Sequence, residues 1–235
     1  MANLATARPL PKSVQVSEML IREIASGRLA DGARLPTERQ MAADLGIAIG
    51  TLRKALAVLA DKGLLERRQG SGNYVRAQTN VDSVYTLFRL ELLAGGGLPT
   101  ADVLDVLKLK RPEEATGFSG KFGHRIRRLR YLNGQPIAVE EIWLDTRYTG
   151  EVQAANLVES LYKFYKEALG LVISQVEDRV GVSTVPDWAP CAFERPLDTA
   201  CGFIERLGYD QQGRTAEYSR TWFNQDAVRY TIRLR

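Results

Sequence analysis

The order of hydrophobic periods between Val14 and Arg76 constrains this chain more than any other feature: three helix-length stripes, then two short strands across a glycine tip. Val16, Leu20 and Ile24 recur every four residues, which puts them on one face of a helix running from Val14 to Ser26, and Gly27 stands where a left-handed cap ends it. Asp31 to Pro36 punctuate a connection into Thr37-Glu38-Arg39-Gln40, where Thr37 can cap a second helix and Gln40 can reach back as in a capping box. That helix runs to about Leu45 and ends at Gly46. Leu52, Leu56 and Leu59 then mark the buried stripe of a third, closed by Lys62-Gly63. Two short helices across a tight glycine turn predict a helix-turn-helix, whose second helix enters the major groove with Arg53 and Lys54 near its exposed start. Leu64 to Arg68 and Asn73 to Arg76 read as strands flanking Gln69-Gly70-Ser71-Gly72, a basic wing whose glycines let backbone N–H groups approach phosphate.

Charge supports that division of labour. Residues 1–77 hold 12 Lys/Arg against 7 Asp/Glu, and the remainder 20 against 21, so nearly all of the net charge of +4 belongs to the first third. Such asymmetry is expected when one domain meets a phosphate backbone and another does not. At 235 residues the chain suits two domains, and 45% hydrophobic content supports real cores. With no apolar run long enough to span a bilayer and no secretory pattern in the first thirty residues, a cytoplasmic protein without membrane association is expected. Cys191 and Cys201, nine apart with no second pair, read as reduced thiols. A single histidine, His124, argues against Ser-His-Asp, Cys-His and multi-histidine metal chemistry, so no catalytic, metal or cofactor residues are assigned.

Residues 78–84 are polar and aperiodic, as a linker would be, leaving 12–77 as the DNA-binding domain and 85–235 as a second domain. In the latter, Ile126 to Leu132 and Pro136 to Leu144 form a hairpin across Asn133-Gly134, and Gly202 to Tyr209 pairs with Thr215 to Phe223 across Asp210 to Gly213. A helix from Leu161 to Leu169 ends at Gly170, Tyr230 to Leu234 alternates like a closing strand, and residues 90–120 are indistinct. The order predicts an α+β domain on an antiparallel sheet. Arg128 and Arg130 point to one face of their strand, and Glu140 and Glu217 interrupt apolar strands. Two readings follow: a solvated face with its salt-bridge partners, or a pocket for a small anionic ligand.

Gly32-Ala33-Arg34-Leu35-Pro36-Thr37-Glu38-Arg39, Leu45-Gly46, Thr51 to Leu56, Gly63-Leu64-Leu65 and Arg67 to Gly72 together resemble the GntR family of bacterial transcription regulators. The resemblance implies a homodimer on a palindromic double-stranded DNA operator, with Arg39, Ile49, Gly50, Thr51, Arg53, Lys54, Gln69, Gly70 and Gly72 at DNA-touching positions. Arg53 suits a bidentate guanine contact; Arg39 and Thr51 suit phosphates. The family usually opens its recognition helix with Ser-Arg, and this chain has Ala48-Ile49. Ala48 forgoes an N-cap bond at a cost of about 1 kcal/mol. Ile49 offers an apolar surface to a thymine methyl in place of a charge.

Arg128-Leu129-Arg130, Asn133 to Glu140, Ser160-Leu161-Tyr162 and Gly213 to Arg220 resemble the UTRA effector domain of the HutC subfamily, whose fold is similar to chorismate lyase. By position the resemblance implies effector contacts at Arg128, Arg130, Glu140, Ser160, Tyr162, Glu217 and Phe223, the last standing where relatives commonly have tyrosine. The arginines would hold a phosphate or carboxylate and the glutamates would accept hydroxyl or amine hydrogens. The expectation is a ligand-controlled regulator acting as a repressor. Its rivals are a chorismate lyase-like enzyme and an effector-independent DNA-binding protein.

Overall fold

The computed structural model describes residues 10–77, 87–157 and 160–233, so the expected linker at 78–84 lies outside the described residues. Two compact units emerge: one from Leu10–Pro99 with the described residues from Tyr230, the other from Thr100–Arg229.

The first unit opens with α1 (Lys12–Ala25), α2 (Glu38–Asp44) and α3 (Ile49–Asp61), followed by the wing strands β1 (Leu65–Arg68) and β2 (Gly72–Val75). The periodic residues read from the sequence make its core: Val16, Leu20, Ile24, Leu52, Leu56 and Leu59 are all buried, with Leu35, Leu64 and Val75 closing it. Fully burying each such side chain is worth roughly 1.5–3 kcal/mol, which explains how three helices this short hold together. Thr37 Oγ1 caps α2 by accepting from Gln40 N at 3.2 Å. The reciprocal half of the expected capping box is absent: Gln40 Nε2 donates forward to Asp44 Oδ1 at 2.7 Å, a partner one helical turn on. Ala48 precedes α3 without any side-chain cap, as its methyl group requires. The wing pairs Leu65 with Val75 through Arg68 with Gly72, and its tip turns through Gly70 at φ +71° and Gly72 at φ +119°, a region that side chains with Cβ avoid.

After β3 (Leu90–Leu92) a run of glycines lets the backbone lie against α1. Arg22 Nη2 donates to Gly97 O at 2.9 Å, and a Cβ on Gly95 would come within 2.0 Å of the Arg28 guanidinium. Near the C-terminus of the chain Arg233 grips the Glu91 carboxylate through both Nη atoms, at 2.7 and 2.9 Å.

The second unit is a six-stranded sheet. Its strands are β4 (Pro99–Lys110), β5 (Phe122–Leu132), β6 (Gln135–Asp145), β7 (Gln175–Thr184), β8 (Ala200–Tyr209) and β9 (Thr215–Phe223), in the order β4-β5-β6-β9-β8-β7. Both sequence-derived hairpins are present, the first turning through Asn133 at φ +52° and Gly134 at φ +79°, as a type I′ turn demands. The helix α4 (Leu161–Leu169) is capped by Ser160 and stopped by Gly170 at φ +62°. It packs Leu161 and Tyr165 on Ile126, Ile142 and Leu144 of one sheet face. Two expectations need correction. The expected strand from Tyr230 to Leu234 is instead β10 (Val228–Tyr230), with residues 231–233 irregular. The indistinct stretch at 90–120 contains β3 and the long edge strand β4.

Candidate functional site

The residues expected to touch DNA lie on α2, α3 and the wing, and α3 and the wing share a core. Arg39, Ile49, Gly50, Arg53, Lys54, Gln69, Gly70 and Gly72 are exposed and Thr51 is partly so. Ile49 stands 39% exposed at the start of α3. Arg53 is held: its Nε donates to Glu38 Oε2 at 2.7 Å across from α2. In the wing, Arg68 bonds Glu66 at 2.8 Å and lies over the Tyr74 ring at 4.3 Å, which stiffens β1 against β2.

In the second unit the strand registers decide which charges meet. Arg128 pairs with Glu140, Glu140 with Thr221 and Thr221 with Ile204, so these side chains share a face. Two residues along each strand are Arg130, Ala138, Phe223 and Gly202; two residues the other way are Ser219 and Arg206, then Glu217. This is the face that carries α4. The face is not solvated: Arg128, Arg130, Glu140, Ser160 and Glu217 are all buried. Arg128 Nη2 donates to Glu140 Oε2 at 2.6 Å, and Arg130 Nε approaches the same oxygen at 3.9 Å. Burial works to raise the Glu140 carboxyl, but the guanidiniums of Arg128 and Arg130 overcome it and hold the group ionised below the usual carboxylate range.

At the other end Tyr162 donates to Glu217 Oε1 at 3.0 Å, so the first turn of α4 is fastened to β9. Sequence reasoning missed three residues here. Arg206 on β8 reaches Asp178 on β7 through Nε at 2.5 Å and Nη2 at 2.6 Å, a bidentate pair. Its charge also acts on Tyr162 and Glu217. Tyr165, fully buried on α4, has its phenol pushed well up by burial and by the Glu217 carboxyl. Spacing marks Tyr165, three residues after Tyr162 and so on the same helix face; Arg206 could be found only by knowing that β7 lies beside β8.

Ser160 spends its hydroxyl partly on capping α4, accepting from Lys163 N at 3.4 Å. Phe223 lies with its ring over Gly202, where a Cβ would come within 2.1 Å of ring carbon. His124 is buried on the opposite side of the hairpin register from Arg125 and bonds Thr149 O at 3.1 Å, a structural role. Cys191 is exposed and Cys201 buried, both free thiols.

Glu217 differs from Glu140. Burial raises its carboxyl, and the hydroxyls of Tyr165 and Tyr162 with the charges of Arg206 and Arg128 oppose that rise without cancelling it. A carboxyl that holds its proton more tightly when folded lowers stability as pH climbs from the unfolded value past the folded one. Glu217→Gln keeps an acceptor for Tyr162 and removes this charge. Its stability relative to wild type is therefore expected to be higher at pH 8 than at pH 4.5 in urea titrations; an equal difference at both would show that Glu217 is unperturbed.

The two units match two family models: residues 12–75 the gntR family of bacterial regulatory proteins, and residues 98–229 the UTRA domain. The HTH-type transcriptional regulator SmoD of Agrobacterium fabrum is 52% identical over 98% of this chain and 99% of its own length. The mannosyl-D-glycerate transport/metabolism system repressor MngR of Escherichia coli is 26% identical over 93% of each chain, and the HTH-type transcriptional repressor NagR of Bacillus subtilis 26% over 98% and 96%. Among solved structures, YydK of Bacillus subtilis superposes with a TM-score of 0.56 at 20% identity, covering 96% of this chain and 100% of the other.

Proposed function

The chain belongs to the GntR family of bacterial regulatory proteins and carries a UTRA domain; from that premise we propose that it is a repressor whose homodimer leaves a palindromic operator when a hydroxylated monoanion fills the pocket on the α4 face of the sheet. It is a transcriptional regulator with a DNA-binding module and an effector module, not an enzyme. Residues 12–77 are the DNA-binding domain in this reading, 78–84 the connection and 85–235 the effector domain. Two-fold symmetry would place a winged helix on each half-site, one helical turn apart. Arg53 reads a base; Arg39 and Thr51 hold phosphates; Gln69, Gly70 and Gly72 follow the groove edge; Ile49 meets a thymine methyl, with Gly50 and Lys54 beside it.

The observation that carries the effector half is the uneven charge of the buried polar face. One end sets two guanidiniums, Arg128 and Arg130, against one carboxylate, Glu140. The other sets Arg206 against Asp178 and Glu217 and adds the hydroxyl of Tyr162. An anionic group suits the first end, and hydroxyl hydrogens suit the acceptors of the second. The MngR relative is named for a glycoside that bears a carboxylate, the same combination of features.

The test begins with selection of bound duplexes, then titrates sugar phosphates, sugar acids and simple anions into the complex while following fluorescence anisotropy. Release by a hydroxylated anion is expected, weakening operator affinity by roughly 5- to 150-fold at saturation, and steep loss of binding with added salt. Operator binding that no member of the panel alters would favour an effector-independent regulator.

A further inference from the structure

The contact between Glu38 and Arg53 joins the first residue of α2 to the second turn of α3, the helix proposed above to enter the groove. Arg53 is exposed, with 66% of its side-chain surface open, yet its Nε is already engaged by Glu38 Oε2 at 2.7 Å. Glu38 is itself fixed, because Thr37 caps α2 immediately before it. As a stabilising ion pair this contact is worth little, since both partners face solvent. Its geometric effect is larger. A guanidinium is a rigid plane with five N–H donors, and pinning Nε leaves the Nη edge as the fork available to a ligand. Guanine offers two acceptors, O6 and N7, to such a fork in the major groove.

We infer that Glu38 is a specificity-determining positioning residue: it fixes the Nη edge of Arg53 for a guanine and does so at the expense of attraction to the phosphate backbone. The inference rests on the DNA-binding reading of α3 given above. It predicts two effects of opposite sign. Removing the Glu38 carboxylate takes a negative charge away from a polyanion, so affinity for arbitrary duplex rises. The freed Arg53 can then reach phosphates or other bases, so discrimination falls. Loss of a merely structural bridge would not raise affinity while lowering selectivity.

The test uses the full-length protein in four forms, wild type, Glu38→Ala, Glu38→Gln and Arg53→Ala, each in binding-site selection from random duplexes and each checked for an unchanged melting transition. Wild type is expected to show a guanine position that Arg53→Ala abolishes, with discrimination of about 5- to 150-fold for a good bidentate contact. In Glu38→Ala the preference at that position falls to a few-fold while other positions hold, and binding to unselected duplex tightens. Glu38→Gln, whose amide oxygen can still accept from Nε, falls between. Retention of the full guanine preference in Glu38→Ala overturns the inference and leaves the regulator reading standing, as does equal erosion at every position. Failure of wild type to select any sequence overturns the reading of α3 and the inference together.

Discussion

Replacing Glu141 with alanine is expected to lower the unfolding free energy of the sheet unit by about 3 kcal/mol and its melting midpoint by roughly 10 °C. Glu141 lies on the face of β6 opposite Glu140, between Arg127 of β5 and Arg220 of β9 in one cross-strand row. Its Oε2 accepts from Arg127 Nε and Nη2 at 2.9 and 2.8 Å, and its Oε1 from Arg220 Nη2 at 2.5 Å and Trp143 Nε1 at 3.1 Å. One buried carboxylate thus satisfies four donors. Alanine would leave two guanidiniums and an indole N–H without it, and Arg127 would lose the anchor that lays it over the Trp188 ring at 4.4 Å. Trp188 in turn meets Trp222 edge-on at 5.6 Å, so the damage reaches the aromatic cluster that covers this face. The exposure of Arg220, at 30%, keeps the figure at the lower end for a broken buried pair, because water can reach that partner. Burial raises the Glu141 carboxyl and its hydrogen bonds with Arg220, Arg127 and Trp143 more than reverse this. The stability it confers is therefore present above the ordinary carboxylate range and fades as pH falls below it, so the gap between wild type and Glu141→Ala should narrow in acid. Urea titrations at pH 7 and pH 4 check both statements, and a cost under 1 kcal/mol at pH 7 would refute the role.

Glu141 also shows what the sequence could and could not yield. The Asn133-Gly134 turn fixes the register of β5 with β6, and from that register alone Arg127 faces Glu141 while Arg128 faces Glu140. Adjacent glutamates on a strand must point to opposite faces, so one carboxylate per face follows from the pattern; that both are buried came only from the structure. Helices α1 to α4 were legible for a related reason: each has a period and a stop signal a few residues apart. The edge strands were not. β7 is exposed along nearly its whole length, with Val180 and Val182 open to solvent, and a strand with no buried face has no alternation to read. Missing β7 hid Asp178, and without Asp178 the sequence Glu205-Arg206 looks like any solvated charge pair. The Arg206–Asp178 contact therefore depends on a pairing between strands whose side-chain partners lie 28 residues apart, which local patterns do not encode.

Arg130→Ala and Arg128→Ala should separate binding from folding, although both remove one positive charge from the same end of the proposed effector site. Charge alone predicts equal effects on an anionic effector. Geometry predicts otherwise. Arg128 makes the 2.6 Å bond to the buried Glu140, so its removal strands a carboxylate that keeps no direct bond from it and has only the longer-range charges of Arg130 and Arg206 to offset it, at an expected cost of about 3–5 kcal/mol. Arg130→Ala leaves that short bond in place and is expected to cost less than half as much. That end would then lose one of its two guanidiniums, and with it part of its attraction for an anion. Arg130→Ala is accordingly expected to fold, to hold its operator as tightly as wild type, and to need at least 100-fold more of the releasing compound, a change of about 2.7 kcal/mol in ligand affinity. Arg128→Ala should show its main effect in the melting curve. Operator release from Arg130→Ala at the wild-type effector concentration would mean that the anionic group sits elsewhere, and equal melting losses in the two variants would mean that Glu140 draws on both arginines alike.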